Sequence, residues 1–249
     1  MNMISVENVQ KTFGPANNAT ATKTLQDIDL TVQRGEFLCL LGPSGCGKST
    51  LLNLIAGFEN PTGGSLSVAG HVVKGPSAER GMVFQQPTLM PWLPVWENIA
   101  FSLKLRGVAK RERREKAQHY IEMVGLKGFE EHYPAQLSGG MSQRVGIARA
   151  LLMDPAVILM DEPFGALDEQ TKMDMQAELS RLWSEQNYTI VFVTHGIEEA
   201  LILGTHVAVM SARPGQIVEL LKIDLPRPRD VTSPEFNDYR RHFLSLLRK

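Results

Sequence analysis

Residues 37–56 join three patterns that meet in few kinds of fold. Phe37-Leu38-Cys39-Leu40-Leu41 reads as a short apolar strand, and Gly42-Pro43-Ser44-Gly45-Cys46-Gly47-Lys48-Ser49 follows it directly. A helix from Thr50 to Ala56 comes next, with Leu51, Leu52, Leu54 and Ile55 at helical spacing. Strand, glycine loop and helix in this register match the phosphate-binding pattern GxxxxGK[ST]. The glycines let backbone N–H groups turn inward around phosphate oxygens, and the helix adds its positive N-terminal end. In such a loop Lys48 bridges the β- and γ-phosphates, and the Ser49 hydroxyl ligates Mg²⁺.

The rest of the chain fits an α/β protein. Val157–Met160 and Thr189–Val193 are continuous apolar runs, the mark of parallel strands covered on both faces. Glu169–Gln186 and Ile197–Leu203 read as the helices after them. Earlier strands are expected over Ile4–Val9, Asp27–Val32, Glu36–Leu41, Ser65–Val68 and Gly81–Phe84, and a later one over Val207–Met210. Phe13–Thr24, rich in Ala, Asn and Thr, reads as a hairpin-like loop. Residues from about 86 to 150 are helix-rich. At the end, Tyr239, Phe243 and Leu246 or Leu247 share one face of an amphipathic helix. The implied organisation is one nucleotide-binding domain over residues 1–222, a helical subdomain inserted at about 86–155, and a short basic tail over 223–249.

Two further strings carry chemistry. Val157–Met160 delivers Asp161 and Glu162 at its carboxyl end, where ligands sit in open α/β sheets. Asp161 is placed to hold Mg²⁺ through water, and Glu162 to orient or deprotonate an attacking water. Leu137-Ser138-Gly139-Gly140-Met141 opens a helix running to Leu152 and makes a second anion site. One chain binding one nucleotide has no use for two phosphate cradles. Two chains packed head to tail do, each Ser138 turn closing over the other chain's γ-phosphate. Ser138 as a simple helix cap explains the serine and leaves the doubled glycine unexplained.

Phosphate loop, LSGG turn, LMDEP strand and Gly165-Ala166-Leu167-Asp168 stand in the order found in ATP-binding cassette (ABC) ATPases, which the chain resembles over roughly Ile4–Glu219. The resemblance implies a P-loop core with a mostly parallel sheet, an N-terminal antiparallel β subdomain and an inserted α-helical subdomain. It gives Phe13 the place of the aromatic that stacks on adenine, and Gln85 that of the glutamine touching Mg²⁺ and water. Asp168 takes the place of the aspartate crossing the dimer interface, and His195 that of the switch histidine on the γ-phosphate. Gly42 to Thr50, Ser138, Gly139 and Gly140 hold ATP on this reading. Three positions depart from the family pattern: Phe13 replaces tyrosine and keeps the stacking face, Met141 replaces glutamine, and Gly196 replaces the aspartate after the histidine. The last removes a carboxylate near the site.

Composition narrows the setting. The chain has 249 residues, 43% apolar and 21% charged, which excludes disordered and fibrous classes. Twenty-six basic and 27 acidic residues leave a net charge of −1, with no overall signature for nucleic acid. Cys39 and Cys46 make no disulfide framework and point to a reducing compartment. The N-terminus lacks a basic region followed by an apolar stretch, and no apolar run approaches the ~20 residues that span a bilayer. The expectation is a soluble intracellular chain that needs a separate permease to drive transport.

Gln85–Ile99 holds two tryptophans and three prolines. It reads either as packing between subdomains or, preferably, as a groove for a short helix of a membrane subunit. Lys104–Lys116 has seven basic and two acidic residues, first a solvated helix face and alternatively a contact for anionic headgroups or the permease. Aromatics do not interleave with its charges, which disfavours nucleic acid. Gly75–Gln85, Leu51–Phe58 and Arg213-Pro214-Gly215 resemble ATPase subunits of nitrate, taurine and alkanesulfonate importers, whose wider group includes riboflavin- or pyrimidine-precursor systems. This implies a dimer of the chain or with a close paralogue, on the cytoplasmic face of the plasma membrane. Two permease subunits and, indirectly, a periplasmic binding protein complete the assembly. A soluble ABC protein of translation or repair usually carries two cassettes or a coiled insertion, a P-loop kinase has no use for Ser138-Gly139-Gly140, and a silent binding module is opposed by Lys48, Asp161, Glu162 and His195. Cargo is selected by other polypeptides.

Overall fold

The computed structural model describes residues 2–14, 21–165 and 167–248. It divides into two compact units, residues 1–77 with 183–249, and residues 78–182.

The first unit opens with long strands β1 (Asn2–Phe13) and β2 (Thr22–Gln33), paired antiparallel with several register shifts. They extend beyond the expected Ile4–Val9 and Asp27–Val32 and take in both ends of the segment read as a loop; residues 15–20 of that loop lie outside the described residues. Val6, Val9, Ile28, Leu30 and Val32 supply buried positions along them. β3 (Phe37–Leu41) and helix α1 (Lys48–Ala56) flank the glycine loop. β4 (Gly63–Val68) and β5 (His71–Val72) complete an antiparallel sheet in the order β2-β1-β4-β5.

The second unit begins with β6 (Arg80–Val83), followed by α2 (Val95–Ile99), α3 (Phe101–Leu105), α4 (Lys110–Met123), one 3-10 turn at Pro134–Gln136, and α5 (Gly139–Leu152). Trp96, Ile99, Leu103, Ala117, Ile121, Val145, Ala148 and Leu152 form the core of these helices. β7 (Val157–Asp161) pairs parallel with β6, and α6 (Glu169–Gln186) follows.

The chain returns to the first unit at Trp183, within α6, and goes on with β8 (Ile190–Thr194), α7 (Ile197–Leu203), β9 (His206–Met210), β10 (Ile217–Lys222) and α8 (Pro234–Leu247). β3 lies between β8 and β9, parallel to both, and β10 adds antiparallel to β9. Every residue of β3 and β8 is buried, as continuous apolar runs require in a sheet covered on both faces. Residues 223–248, expected as a tail, carry α8 against α7 and β9. Phe236 and Phe243 are fully buried there, with Tyr239, Leu246 and Leu247 half-buried. Burying each phenylalanine is worth about 1.5–3 kcal/mol.

The basic stretch is mostly a solvated face. Along α4 only Arg113, Ala117 and Ile121, spaced by four, are buried. Arg111 pairs with Glu115 at 3.0 Å and Lys116 with Glu112 at 2.8 Å. Trp96, at 2% exposure, lies beneath the cations of Lys110, Arg113 and Arg114 at 5.7, 6.0 and 5.3 Å from its ring centre. Trp96 is therefore packing, whereas Trp92 stands 71% exposed.

Candidate nucleotide-binding and hydrolysis site

In the first unit the glycine loop is closed by its own chain. Gly47 is the N-cap of α1 at φ 99°, and a Cβ there would meet Leu25 Cδ2 at 2.6 Å. A Cβ on Gly42 would meet Cys46 Sγ at 2.8 Å and the Met210 carbonyl at 2.9 Å. No side chain caps α1 and its first turn holds no acidic residue, so neither a cap nor a carboxylate competes with an anion for the N–H groups there. The Lys48 ammonium is buried across the loop, donating to the Gly42 carbonyl at 2.8 Å and to that of Pro43 at 2.9 Å. These features fit a bound nucleotide phosphate chain.

Three more residues of this unit bear on the site. Phe13 ends β1 at 40% exposure with Lys11 Nζ 4.7 Å from its ring centre, and Lys11 is held by Glu59 at 2.8 Å. His195 is exposed just beyond β8. Gly196 caps α7 with no side chain; Thr194 Oγ1 accepts its N–H at 2.9 Å and donates to the buried Glu199 carboxylate. Glu199 Oε2 lies 3.9 Å from where a Cβ on Gly196 would stand, so a carboxylate does occupy this turn although the capping aspartate is missing. Arg213 is a residue the sequence did not mark for this role: its Nη2 lies 3.3 Å from the Cβ position of Gly45.

In the second unit β7 delivers Asp161 and Glu162 at its carboxyl end. Glu162 has φ 42°, the left-handed region that non-glycine residues adopt only when held there. Gln85 Nε2 donates to Glu162 Oε2 at 3.4 Å, so these two predicted residues are brought together. Two residues that sequence reasoning missed support the Gln85 loop from α5. Buried Gln143 donates to the Phe84 carbonyl at 3.0 Å, and Arg149 to the Thr88 carbonyl and hydroxyl at 2.8 and 3.1 Å. Burial lowers the Arg149 pKa. Among the described residues no three or more His, Cys, Asp or Glu side chains form a ready-made metal site.

Ser138 caps α5, its hydroxyl accepting the Met141 N–H at 3.2 Å. The turn is exposed, and a Cβ on Gly139 would meet nothing within 4 Å. At Gly140 it would lie 3.1 Å from Leu167 Cδ2. Asp168 is also exposed and accepts the Thr171 N–H at 3.0 Å at the start of α6; this bonding holds its carboxyl below the usual carboxylate range. Ala166, beside it, lies outside the described residues.

A strand-flanked glycine loop with a buried lysine, on a mostly parallel α/β sheet, defines the class of P-loop nucleotide hydrolases. The family model described as ABC transporter matches residues 25–165. The aliphatic sulfonates import ATP-binding protein SsuB of Bacillus licheniformis is 46% identical over 97% of this chain and 92% of its own length. The nitrate import ATP-binding protein NrtD of Synechocystis is 48% identical over 90% of this chain and 88% of its own. Among solved structures, a dimeric ATP-binding cassette in a post-hydrolysis state with ADP and Pi superposes with TM-score 0.80 at 34% identity, covering 89% of this chain and 99% of that one. The chain belongs to the ABC transporter family, as one of its ATP-binding, ATP-hydrolysing cassettes. No helix among the described residues is long and apolar enough to cross a membrane.

Proposed function

We propose that the chain is the ATPase subunit of an importer for a small anionic nutrient of the nitrate, taurine or alkanesulfonate type. It works as a head-to-tail dimer, with itself or a close paralogue, on the cytoplasmic face of the plasma membrane. Two separate permease subunits carry the cargo, fed by a periplasmic binding protein. The observation that supports the dimer is the exposed Ser138-Gly139 turn at the start of α5, where among the described residues a Cβ on Gly139 would meet nothing within 4 Å and which leaves room for a second chain. The similar cassette solved as a dimer with ADP and Pi supports a dimer here. The nutrient class rests on the sulfonate and nitrate import proteins.

In this reading Lys48 and the N–H groups of Gly42 to Thr50 bind the ATP phosphates, with Pro43, Ser44, Gly45, Cys46 and Gly47 shaping the loop. Phe13 stacks on adenine. Ser49, Asp161 and Gln85 hold Mg²⁺, which when bound neutralises charge on the phosphate oxygens. Glu162 takes the proton of the attacking water while Gln85 orients it, and His195 contacts the γ-phosphate. Ser138, Gly139 and Gly140 close over the partner chain's γ-phosphate, and Asp168 crosses the interface. The division into a domain over 1–222, a helical subdomain at about 86–155 and a tail over 223–249 belongs to the same reading.

The permease contact falls on the loop crowned by Trp92. The Asn98 side chain ties that loop, accepting the Met90 N–H at 2.8 Å and donating to the carbonyls of Met90 at 3.1 Å and Leu93 at 2.8 Å. An exposed indole on a built loop is the kind of surface a partner buries.

Deletion of the gene tests the assignment. Growth on an alkanesulfonate or taurine as sole sulfur source, or nitrate as sole nitrogen source, is expected to fail. Wild-type protein should restore it and Glu162→Gln should not. Undiminished growth of the deletion strain on all three would rule out the proposed nutrient class.

A further inference from the structure

Helix α7 is the first element after His195, and it is held at both ends. Its N-terminal end is tied to β8 through Thr194, which joins Gly196 to Glu199. At the other end an α-helix leaves its last four carbonyls without an internal partner. In α7 the Ala200 carbonyl takes the Gly204 N–H at 2.9 Å. The other three are taken by two arginines of the Pro226–Arg229 segment. Arg227 donates Nη1 to the Ile202 carbonyl at 3.1 Å and Nη2 to that of Leu203. Arg229 donates Nη1 to the Leu201 carbonyl and, at 2.6 Å, to that of Gly204. The Arg227 guanidinium also sits 4.7 Å from the Trp183 ring centre.

A two-turn helix has little stability of its own, so its position is set by the packing of its buried Ala200, Leu201 and Leu203 together with whatever holds its ends. Cations at a helix C-terminus are electrostatically favoured, and a planar guanidinium reaches two carbonyls at once. Burial, then the neighbouring Arg227 charge, lowers the Arg229 pKa to about 10, still well above neutral pH. This grip is far from the glycine loop in sequence and is used by no step of the hydrolysis described above.

We propose that Arg227 and Arg229 are positioning residues for ATP hydrolysis, fixing α7 and through it the His195 turn. The inference rests on the reading of His195 as the γ-phosphate contact. The full-length protein with Arg229→Ala, Arg227→Ala or Arg229→Lys is compared with wild type in ATP turnover and equilibrium ATP binding. Turnover is expected to fall by about 10- to 100-fold in the alanine variants, the scale of a misplaced catalytic contact. ATP affinity should stay within about twofold, because the glycine loop is untouched. Arg229→Lys, which keeps the charge and folds more readily, should recover part of the loss. In a His195→Ala background, adding Arg229→Ala should cost nothing more. The His195 ring proton resonance, identified by its loss in His195→Ala, should shift in Arg229→Ala.

Wild-type turnover by His195→Ala would remove the reading of His195, and this inference with it. If His195→Ala is slow and Arg229→Ala slows it again by its own full factor, the inference alone fails. It also fails if the folded arginine variants turn over normally and only melt earlier, or if the His195 resonance does not move.

Discussion

The two glycine-rich turns look alike as strings and differ in what requires their glycines. In the turn at 42–49 every constraint comes from the same chain: Leu25 and Met210 crowd the glycines, and Lys48 closes on the loop carbonyls. In the turn at 138–140 the serine caps its own helix, yet Gly139 faces open space. A motif of the first kind folds the protein as well as serving it. One of the second kind leaves open a surface that, on the proposed reading, a second chain meets.

On the proposed reading both turns serve chemistry at Glu162, so the comparison breaks first if that carboxylate is idle. Glu162→Gln should bind ATP normally and turn over about 10²–10⁴-fold more slowly, since an amide takes no proton. Hydrolysis near the wild-type rate would remove Glu162 from the role. Lys48→Ala removes charged hydrogen bonds from the internally built turn and should weaken ATP binding by roughly 10- to 100-fold. Unchanged affinity in a binding titration would count against that assignment.

A glycine pair sharpens the contrast. Gly47→Ala forces a side chain into left-handed backbone and against Leu25, costing about 2 kcal/mol or more and lowering Tm by roughly 4–8 °C. Gly139→Ala meets no neighbour and favours the helix, so Tm should hold or rise by up to about 3 °C while turnover drops about tenfold. A destabilised Gly139→Ala with normal turnover would reverse the comparison. The smallest effect concerns Asp168. Its carboxyl is held below the ordinary ~3.9 by the Thr171 N–H, so its stabilising bond is present above that value and lost as pH falls through the lower folded-state pKa. Asp168→Asn should melt slightly below wild type at pH 6, with the gap closing towards pH 3; a gap that widens on acidification contradicts the assignment.

Legibility in the sequence followed the same division. The loop at 42–49, the β7 carboxylates and the helices at 169–186 and 197–203 were readable because their signals lie within one element. β10 was not, because Ile217-Val218-Glu219-Leu220-Leu221-Lys222 puts apolar residues on both faces and shows no clean alternation. The ends of β1 and β2 were lost because Thr, Asn and Ala near the loop mask strand character that only pairing reveals. Gln143 and Arg149 support the Gln85 loop across about sixty residues of sequence, and Arg229 grips α7 across about twenty-five. Contacts of that span have no local pattern to read. The split between Trp96 and Trp92 likewise needed the fold: identical side chains four residues apart, one beneath three cations and one in solvent.

The head-to-tail site is tested most directly by complementation between two inactive chains. Lys48→Ala and Ser138→Arg proteins carrying different affinity tags are co-expressed, and the heterodimers are isolated through both tags. If Ser138 serves the partner's nucleotide, one composite site holds both lesions and the other holds none. A heterodimer of wild type with Lys48→Ala calibrates what one intact site delivers. The account predicts that the complementing pair reaches that calibrated rate, up to roughly half of wild type, while each homodimer stays nearly inactive. An active calibrating heterodimer beside an inactive complementing pair would show that Ser138 serves its own chain's nucleotide, and the head-to-tail site would be wrong.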